Sequence, residues 1–409
     1  MTRDQRLIYA AAFLRSLGVG LLGVLFALNL SFRGLHAGQI GALVAIGLAG
    51  SAAGTFFVSF WADRVGRKSM LLLLSAGTAL GGAGLALLSD FPLLAAVCFL
   101  GMVNAMGRER GALFTLEQTV LPETTSDRGR TRALAWYNVV MDIGQALGSL
   151  LGGLPVFLRW LGMGHAASYQ ATFTLYAGLA CASFFLYTRL SGRVETHGPT
   201  PSTPLRAGPW RRVTPESRRI ITRLSLLFGF DSVAGGFLPS ALVAYWFFRR
   251  FGVGEEMLAP LFFAAHTANA LSYLAAAWLA KQIGLVRTMV FTHTPANLCL
   301  IAIPFMPSLP LAAALYLLRE CLVEMDVPTR QSYVMAVVAP GERTIAAGVT
   351  NLTRLVAWTV APTLAGLAMG TAALSGLPLV IGGSMKIAYD AMLYFSFRHL
   401  RPPEERPAP

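Results

Sequence analysis

A chain of 409 residues with 55% hydrophobic side chains, 13% charged ones and a mean hydropathy of +0.58 is too apolar for a soluble domain, which carries about 25% charged residues. Its net charge of +13 and pI near 10.1 would suit a nucleic-acid binder, but the basic residues sort by loop and form no single footprint, so no nucleic-acid partner is expected. Cys98, Cys181, Cys299 and Cys321 lie in apolar stretches without CxxC or metal-ligand spacing, which leaves them as packing residues and predicts neither a metal nor a cofactor.

Apolar stretches long enough to cross a hydrocarbon core of about 30 Å recur along the chain. They predict an all-α integral membrane protein with crossings near 7–30, 37–60, 70–89, 92–118, 133–154, 168–190, 220–247, 257–280, 287–305, 309–337, 345–369 and 376–397. The first follows Arg3 and Arg6, as a secretory signal would, but it is too long for a signal core and contains Arg15. It is therefore expected to remain as the first helix of the bundle. Loops placed inside hold most of the arginines, among them Arg64, Arg67, Arg128, Arg130, Arg211 and Arg212, together with Lys68. Those placed outside hold only Arg33, Arg159, Arg249 and Arg250. The positive-inside rule then predicts a multi-pass protein with both termini cytoplasmic.

The polar, proline-rich and basic stretch 191–218 divides the crossings six and six. The expected organisation is a first bundle over 1–190, a cytoplasmic linker over 191–218, a second bundle over 219–400 and a cytoplasmic tail over 401–409. The halves repeat weakly: Gly66 answers to Gly284 and Pro92 to Pro310 at one offset of 218, and Asn138 to Asn351 and Gly153 to Gly366 at 213. A loop shorter by five residues accounts for the change of offset. Six-plus-six repeats are how transporter halves are built around a central site.

The loop after the second crossing reads Ser59-Phe60-Trp61-Ala62-Asp63-Arg64-Val65-Gly66-Arg67-Lys68. Gly66 permits a tight turn, and Asp63 is an anion available to a facing helix N-terminus or an arginine. An ordinary positive-inside loop explains the arginines but not the Asp-x-x-Gly-Arg-Lys order. The segment resembles the G-x-L-A-D-R-x-G-R-K signature of the major facilitator superfamily, with Ser59 in place of the first glycine and Lys281 at the second-half counterpart of Asp63. The resemblance implies that superfamily's fold, twelve transmembrane helices in two six-helix pseudo-repeats. It also implies a gating role for Asp63, Arg64, Gly66, Arg67 and Lys68, in which Asp63 latches the cytoplasmic side of the outward-open state. In the fifth crossing, Gly144-Gln145-Ala146-Leu147-Gly148-Ser149-Leu150-Leu151-Gly152-Gly153 resembles the G-x-x-x-G-P-x-x-G-G motif of proton-coupled exporters, with Ser149 where proline stands. Small residues four apart also let two helices approach closely, so helix packing through Gly144, Gly148, Gly152 and Gly153 is the plainer reading. Met325–Tyr333 and Gly382–Asp390 look like segments of uncharacterised bacterial members.

An ionisable group at bilayer depth costs at least about 2.5–3.5 kcal/mol on insertion scales and needs a partner or a water-filled cavity. The candidates for a substrate or proton pathway are Arg15, Arg108, Glu109, Asp142, Asp231, Arg319, Glu320, Asp326, Arg354, Lys386 and Asp390. Helical spacing puts Arg319, Asp326 and Arg330 on one arc of the tenth crossing and makes Lys386 and Asp390 an i,i+4 pair. Glu117, Arg110 and Arg330 are expected to snorkel at cytoplasmic ends, and His266 and His293 to be packing residues.

These readings predict a secondary active transporter of a small-molecule solute in the lipid bilayer, working by alternating access with protons as coupling ion and with efflux by proton antiport favoured by the fifth-crossing motif. Proton coupling rests on Asp142, Asp231, Glu320 and Asp326. A facilitative or proton-coupled uptake carrier uses the same parts, and a non-transporting scaffold or receptor on the same fold is the third reading. The chain has no GxxxxGK[ST], HExxH or GxSxG, so it is not read as an enzyme. A monomer is expected. Abundant arginine beside three lysines points to a GC-rich bacterial source and hence to the cell inner membrane.

Overall fold

The computed structural model describes residues 2–108, 111–123, 130–195, 213–326, 330, 333–334, 338 and 343–397. Glu109, Arg110, most of the linker and the tail 401–409 lie outside the described residues, as does the side chain of Asp63. The regular elements among the described residues are all helices, and nine stretches among them are long and apolar enough to cross a membrane. Leu80, Trp160, Leu226 and Phe395 are 66–80% exposed, outward apolar side chains that suit lipid.

The first half comprises α1 (Arg3–Phe32), α2 (Ala37–Val65), α3 (Arg67–Leu87), α4 (Phe91–Leu100), α5 (Ala112–Glu123), α6 (Arg130–Leu151), α7 (Leu154–Trp160) and α8 (His165–Thr188). The second comprises α9 (Pro215–Gly236), α10 (Ser240–Phe251), α11 (Glu255–Ile283), α12 (Leu285–Ala302), α13 (Leu309–Val323), α14 (Arg343–Trp358), α15 (Pro362–Met369) and α16 (Leu377–Phe397). Thr2 caps α1 by accepting the Gln5 amide at 3.3 Å while the Gln5 side chain accepts the Thr2 amide at 2.9 Å. Thr214 does the same for the Ser217 amide of α9, and Pro215 at the first turn loses no hydrogen bond there.

Several crossings read as continuous from sequence are broken. The fourth stops at Leu100 and resumes at Ala112, with Met102 at φ 49° and Gly107 at φ 77° between. Gly101, Asn104, Gly107 and Gly111 sit in this stretch, where glycine and asparagine end helices. The tenth is interrupted at Glu324 and Met325, and the repeat offset of 218 sets Glu324 opposite Met106. Pro155, Pro239 and Pro362 start new helices after the breaks in the fifth, seventh and eleventh.

The helices form two compact units. Unit 1 contains Met1–His197, Leu238–Thr267 and Pro362–Ser375, and unit 2 contains Gly198–Phe237, Ala268–Ala361 and Gly376–Pro409. The repeat divides the chain at the linker, whereas the packing divides it in space. α10, the start of α11 and α15 belong to the second half by sequence and to unit 1 by contact. In unit 1, α1 is central and packs on α6, α8 and α10, which is why it is apolar on every side. In unit 2, α9 lies against α14 and α16, and α12 against α13 and α16.

The glycines of the fifth crossing set the α1–α6 distance. A Cβ on Gly148 would stand 2.1 Å from the Leu17 carbonyl oxygen, and one on Gly20 2.1 Å from that of Gln145. Gly144 and Gly152 meet Phe13, Ser16 and Val24 of α1, while Gly153 faces Ala259 of α11. Any side chain at Gly148 must push backbone from backbone, a change that costs about 1–3 kcal/mol or more. We therefore expect Gly148→Val to lower the thermal unfolding midpoint of the purified protein clearly. Gly178→Ala, at an α8 position with no atom within 4 Å, should leave it unchanged or raise it slightly. Equal midpoints for the two variants would contradict the close helix contact.

Candidate functional site

Each unit buries a network of charge that no single helix could neutralise. In unit 1, α1 brings Arg15 to Glu117 of α5, Nη2 to Oε2 at 2.5 Å, with side chains 7% and 0% exposed. Tyr137 of α6 and Tyr187 of α8 each donate to that carboxylate at 2.6 Å, and Arg15 also donates to the Tyr187 hydroxyl at 2.9 Å. Glu117 therefore accepts from three partners on three other helices, an arrangement that offsets the cost of burying the charge. The snorkelling expected of Glu117 is wrong. The break at 101–111 starts α5 afresh at Ala112, so Glu117 lies one turn inside a helix that turns inward.

Beside this network a narrow cleft is lined by Arg15, Ser51, Ser75, Thr78, Asn104 and Ser183, with Tyr176 and apolar residues of α1 and α8. The unwound stretch forms one wall. Its polar backbone is satisfied locally: Asn104 donates Nδ2 to the Arg108 carbonyl at 2.6 Å and accepts the Met106 amide at 3.0 Å, and Ser51 donates to the Met102 carbonyl at 3.3 Å. The first amides of α10, those of Ser240 and Ala241, reach the carbonyls of Met106 and Ala105 at 3.4 and 3.2 Å. A helix start thus fills the acceptors that the broken helix leaves open.

The end of unit 1 remote from the N-terminus is fastened by Glu255 at the start of α11. It pairs with Arg159 of α7 at 2.6 Å and accepts from Tyr169 of α8 at 3.1 Å. At the other end Gly66 turns the chain at φ 96°, and the half-buried linker-side residue Glu195 accepts the amides of Arg67 and Lys68 at 2.7 and 3.1 Å. The anion at that helix N-terminus is Glu195, which sequence reasoning passed over. Arg64 is exposed, Arg67 is buried, and Lys68 Nζ donates to the Leu190 carbonyl at 2.7 Å. Arg108 and Asp142 are half-buried.

In unit 2, Lys386 of α16 donates to Asp231 of α9 at 2.7 Å. Arg330 stands 3.7 Å from the other oxygen of Asp231 and 2.5 Å from Asp326, and lies over the Phe228 ring at 5.5 Å. Arg354 of α14 donates Nε to Ser232 at 3.3 Å and stacks on Trp358 at 5.0 Å. His293 of α12 faces Asp390 of α16 at 2.8 Å, and Thr294 donates to the second Asp390 oxygen at 3.0 Å. Glu320 accepts from Asn269 at 2.7 Å and is paired with Arg319. Three expectations change here. Lys386 and Asp390 are helical neighbours but turn to partners on α9 and α12, because facing helices bring an opposite charge closer than the next turn does. His293 is an ion-network residue. Arg330 is 4% exposed and does not snorkel.

The two networks use corresponding crossings with the signs exchanged, although the residues are not at equivalent positions: the offset of 218 sets Arg15 opposite Val233 and Glu117 opposite Met335. The first crossing contributes a cation, Arg15, and the seventh an anion, Asp231. Each is met by the opposite charge from the fourth or tenth crossing, Glu117 or Arg330. Tyr137 and Tyr187 gave no sequence signal, since a helix tyrosine looks the same whether or not its hydroxyl meets a carboxylate. Breaking a buried pair leaves a bare charge and costs about 3–5 kcal/mol. Glu117→Gln should therefore unfold far more readily than wild type in a denaturant series. Adding Arg15→Gln should restore part of the loss, and a double variant as unstable as the sum of the singles would contradict the pairing.

The chain is 27% identical, over 97% of its length and 94% of the other, to the uncharacterized membrane protein YJR124C of Saccharomyces cerevisiae. Its fold is similar to a peptide transporter POT (TM-score 0.76, 14% identity, 98% and 95% of the two chains). It is likewise similar to a D-xylose-proton symporter (0.74, 13%, 96% and 97%) and to a bacterial homolog of the human lysosomal transporter Spinster (0.73, 17%, 100% and 99%). The sequence pattern described as Major Facilitator Superfamily matches residues 8–362. The chain therefore belongs to the Major Facilitator Superfamily, a family of membrane transporters and not of enzymes.

Proposed function

We propose that this membrane transporter carries a small polar or amphiphilic solute by alternating access, as a monomer with both termini in the cytoplasm, and that proton movement drives it. The observation that carries the reading is the pair of buried, sign-exchanged charge networks, one in each unit, with the unwound fourth crossing beside the unit 1 cleft. Broken helices in corresponding places of two repeats mark binding sites in transporters, because unwound backbone is tolerated only where protein or a cavity satisfies it. Buried ionisable groups at helix interfaces mark ion pathways. The similar D-xylose-proton symporter is by its name proton-coupled, which supports protons as the coupling ion here.

On this reading the Glu255–Arg159–Tyr169 contact and the α10 amides on Ala105 and Met106 hold the outer side shut, and they break when that side opens. The loop from Asp63 to Lys68 gates the opposite side. Export is the direction that the fifth-crossing resemblance favours, and an uptake carrier would use the same residues.

The test begins with a stabilisation screen of purified protein against drugs, sugars, organic acids and metal ions. Compounds that raise the unfolding midpoint then go into reconstituted vesicles with and without an imposed pH gradient. At least one should accumulate against its gradient in one orientation of the pH gradient and collapse when protons equilibrate, and Asp63→Asn should slow that flux at matched protein amount. Stabilising compounds that never cross, in either direction, would overturn transport. Flux indifferent to the pH gradient would overturn proton coupling.

A further inference from the structure

The His293–Asp390 pair carries an inference that deepens the coupled-transport reading and rests on it. An imidazole and a carboxylate 2.8 Å apart, both 2–3% exposed, share one proton, and a second hydrogen bond from Thr294 fixes the carboxylate. With that proton in place, His293, Lys386, Arg330 and Arg354 are four cations against the four carboxylates Asp231, Glu324, Asp326 and Asp390, all of them buried. Among the described residues the loaded network is neutral, since the buried Glu320 has its own partner in Arg319. Loss of the proton leaves Asp390 as an excess buried anion beside a neutral imidazole, a state that low dielectric disfavours unless a cation comes to it.

One cation is placed to come. Lys386 lies one helical turn before Asp390 on α16, and i,i+4 side chains meet on one face, about 6 Å apart at Cβ. Its present partner, Asp231, would not be stranded, since Arg330 stands 3.7 Å away. The charged groups facing the pair are Lys386 of α16, Asp231 of α9 and Asp326 of the tenth crossing. Tyr389 sets its ring edge against His293 at 6.2 Å between centroids. None of these carboxylates is nearer to Lys386 than Asp231 is now.

We infer that His293 and Asp390 bind the coupling proton, and that Lys386 exchanges Asp231 for Asp390 when the proton leaves. The balance is simple: the imidazolium gives its proton to water, Lys386 keeps its own, and the ammonium moves between two carboxylates. The mechanical consequence follows from which helix each carboxylate belongs to. Asp231 is on α9, so the Lys386–Asp231 bond ties α9 to α16, whereas a Lys386–Asp390 bond is internal to α16. Proton release thereby unties α9 from α16, while Arg330 and Arg354 still hold it, and α9 runs on through Phe237–Pro239 into α10. The proton state is read by a helix that ends in a proline hinge.

The experiment needs no solute. Spin labels go on the exposed residues Arg219 of α9 and Ser396 of α16 after Arg219→Cys and Ser396→Cys, with the four native cysteines replaced by alanine, and their separation is read in reconstituted full-length protein from about pH 5 to about pH 8. The parent should show the modal distance move by about 1–2 Å or more over this range. The move should vanish in Asp390→Asn, which offers Lys386 no second carboxylate. It should vanish in Lys386→Gln too, and persist in Asp390→Glu. A parent whose distance is constant with pH overturns the switch without recourse to any buried substitution, and so does a full response in Asp390→Asn. Vesicle flux with a pH-invariant distance would sink the switch and leave transport standing. A pH-dependent distance in a protein that moves no compound would do the reverse.

Discussion

The structure depends on one constraint: a charge taken into the membrane must be met by an opposite charge or several donors from other helices, within the same packed unit. Arg15, Glu117 and the two tyrosines meet it in unit 1 by drawing on α1, α5, α6 and α8 at once. Asp231, Lys386 and Arg330 meet it in unit 2 with α9, α16 and the tenth crossing. An isolated buried ion would cost several kcal/mol, so such helices are held in register by charge as well as by packing. The price of this device is that any movement of one helix must find the charge a new partner. In the proposed mechanism that requirement would convert a change of protonation into a change of shape.

Breaks in the helices follow from the same need for satisfaction in a dry environment. The unwound stretch 101–111 would strand its carbonyls, yet Asn104, Ser51 and the leading amides of α10 take them up. A helix start docked on a helix break is a contact that can be made and unmade whole. It involves directional hydrogen bonds that need no repacking of apolar side chains. By contrast, the α1–α6 contact through Gly20 and Gly148 is backbone on backbone, with no flexible side chain between the helices to repack. Rigid and reversible joints are thus separated by residue type: glycine stripes for the first, polar caps for the second.

The fold was legible from apolar run length and charge sorting, because both act through composition averaged over about 20 residues. The glycines at 144, 148 and 152 were legible as packing, since i,i+4 spacing of small residues is a local signal. What escaped was whatever depends on rotation of one helix against another. Lys386 and Asp390 read as partners because spacing along a helix is visible and the facing helix is not. His293 read as a packing residue for the same reason, and Glu117 as snorkelling because the fourth crossing was counted as unbroken. One signal for that break was present in Gly101, Asn104, Gly107 and Gly111 but was outvoted by the apolar run around it. Which packed unit α10 and α15 join could not be read at all, since the repeat assigns them to the second half and only contact assigns them to unit 1.

The central claim is that the buried charges neutralise one another within each unit, and the Asp231–Lys386 bond at 2.7 Å tests it most directly. A double-mutant cycle with Asp231→Asn, Lys386→Met and the combination, read as unfolding free energy of the full-length protein, isolates the pair from its surroundings. Asp231→Asn, which bares Lys386, should cost about 3–5 kcal/mol, Lys386→Met less because Arg330 still faces Asp231, and the double variant should be clearly more stable than the sum of the two losses implies. Additive losses, with the double as unstable as the two singles together, would show that the two charges are held by something other than each other.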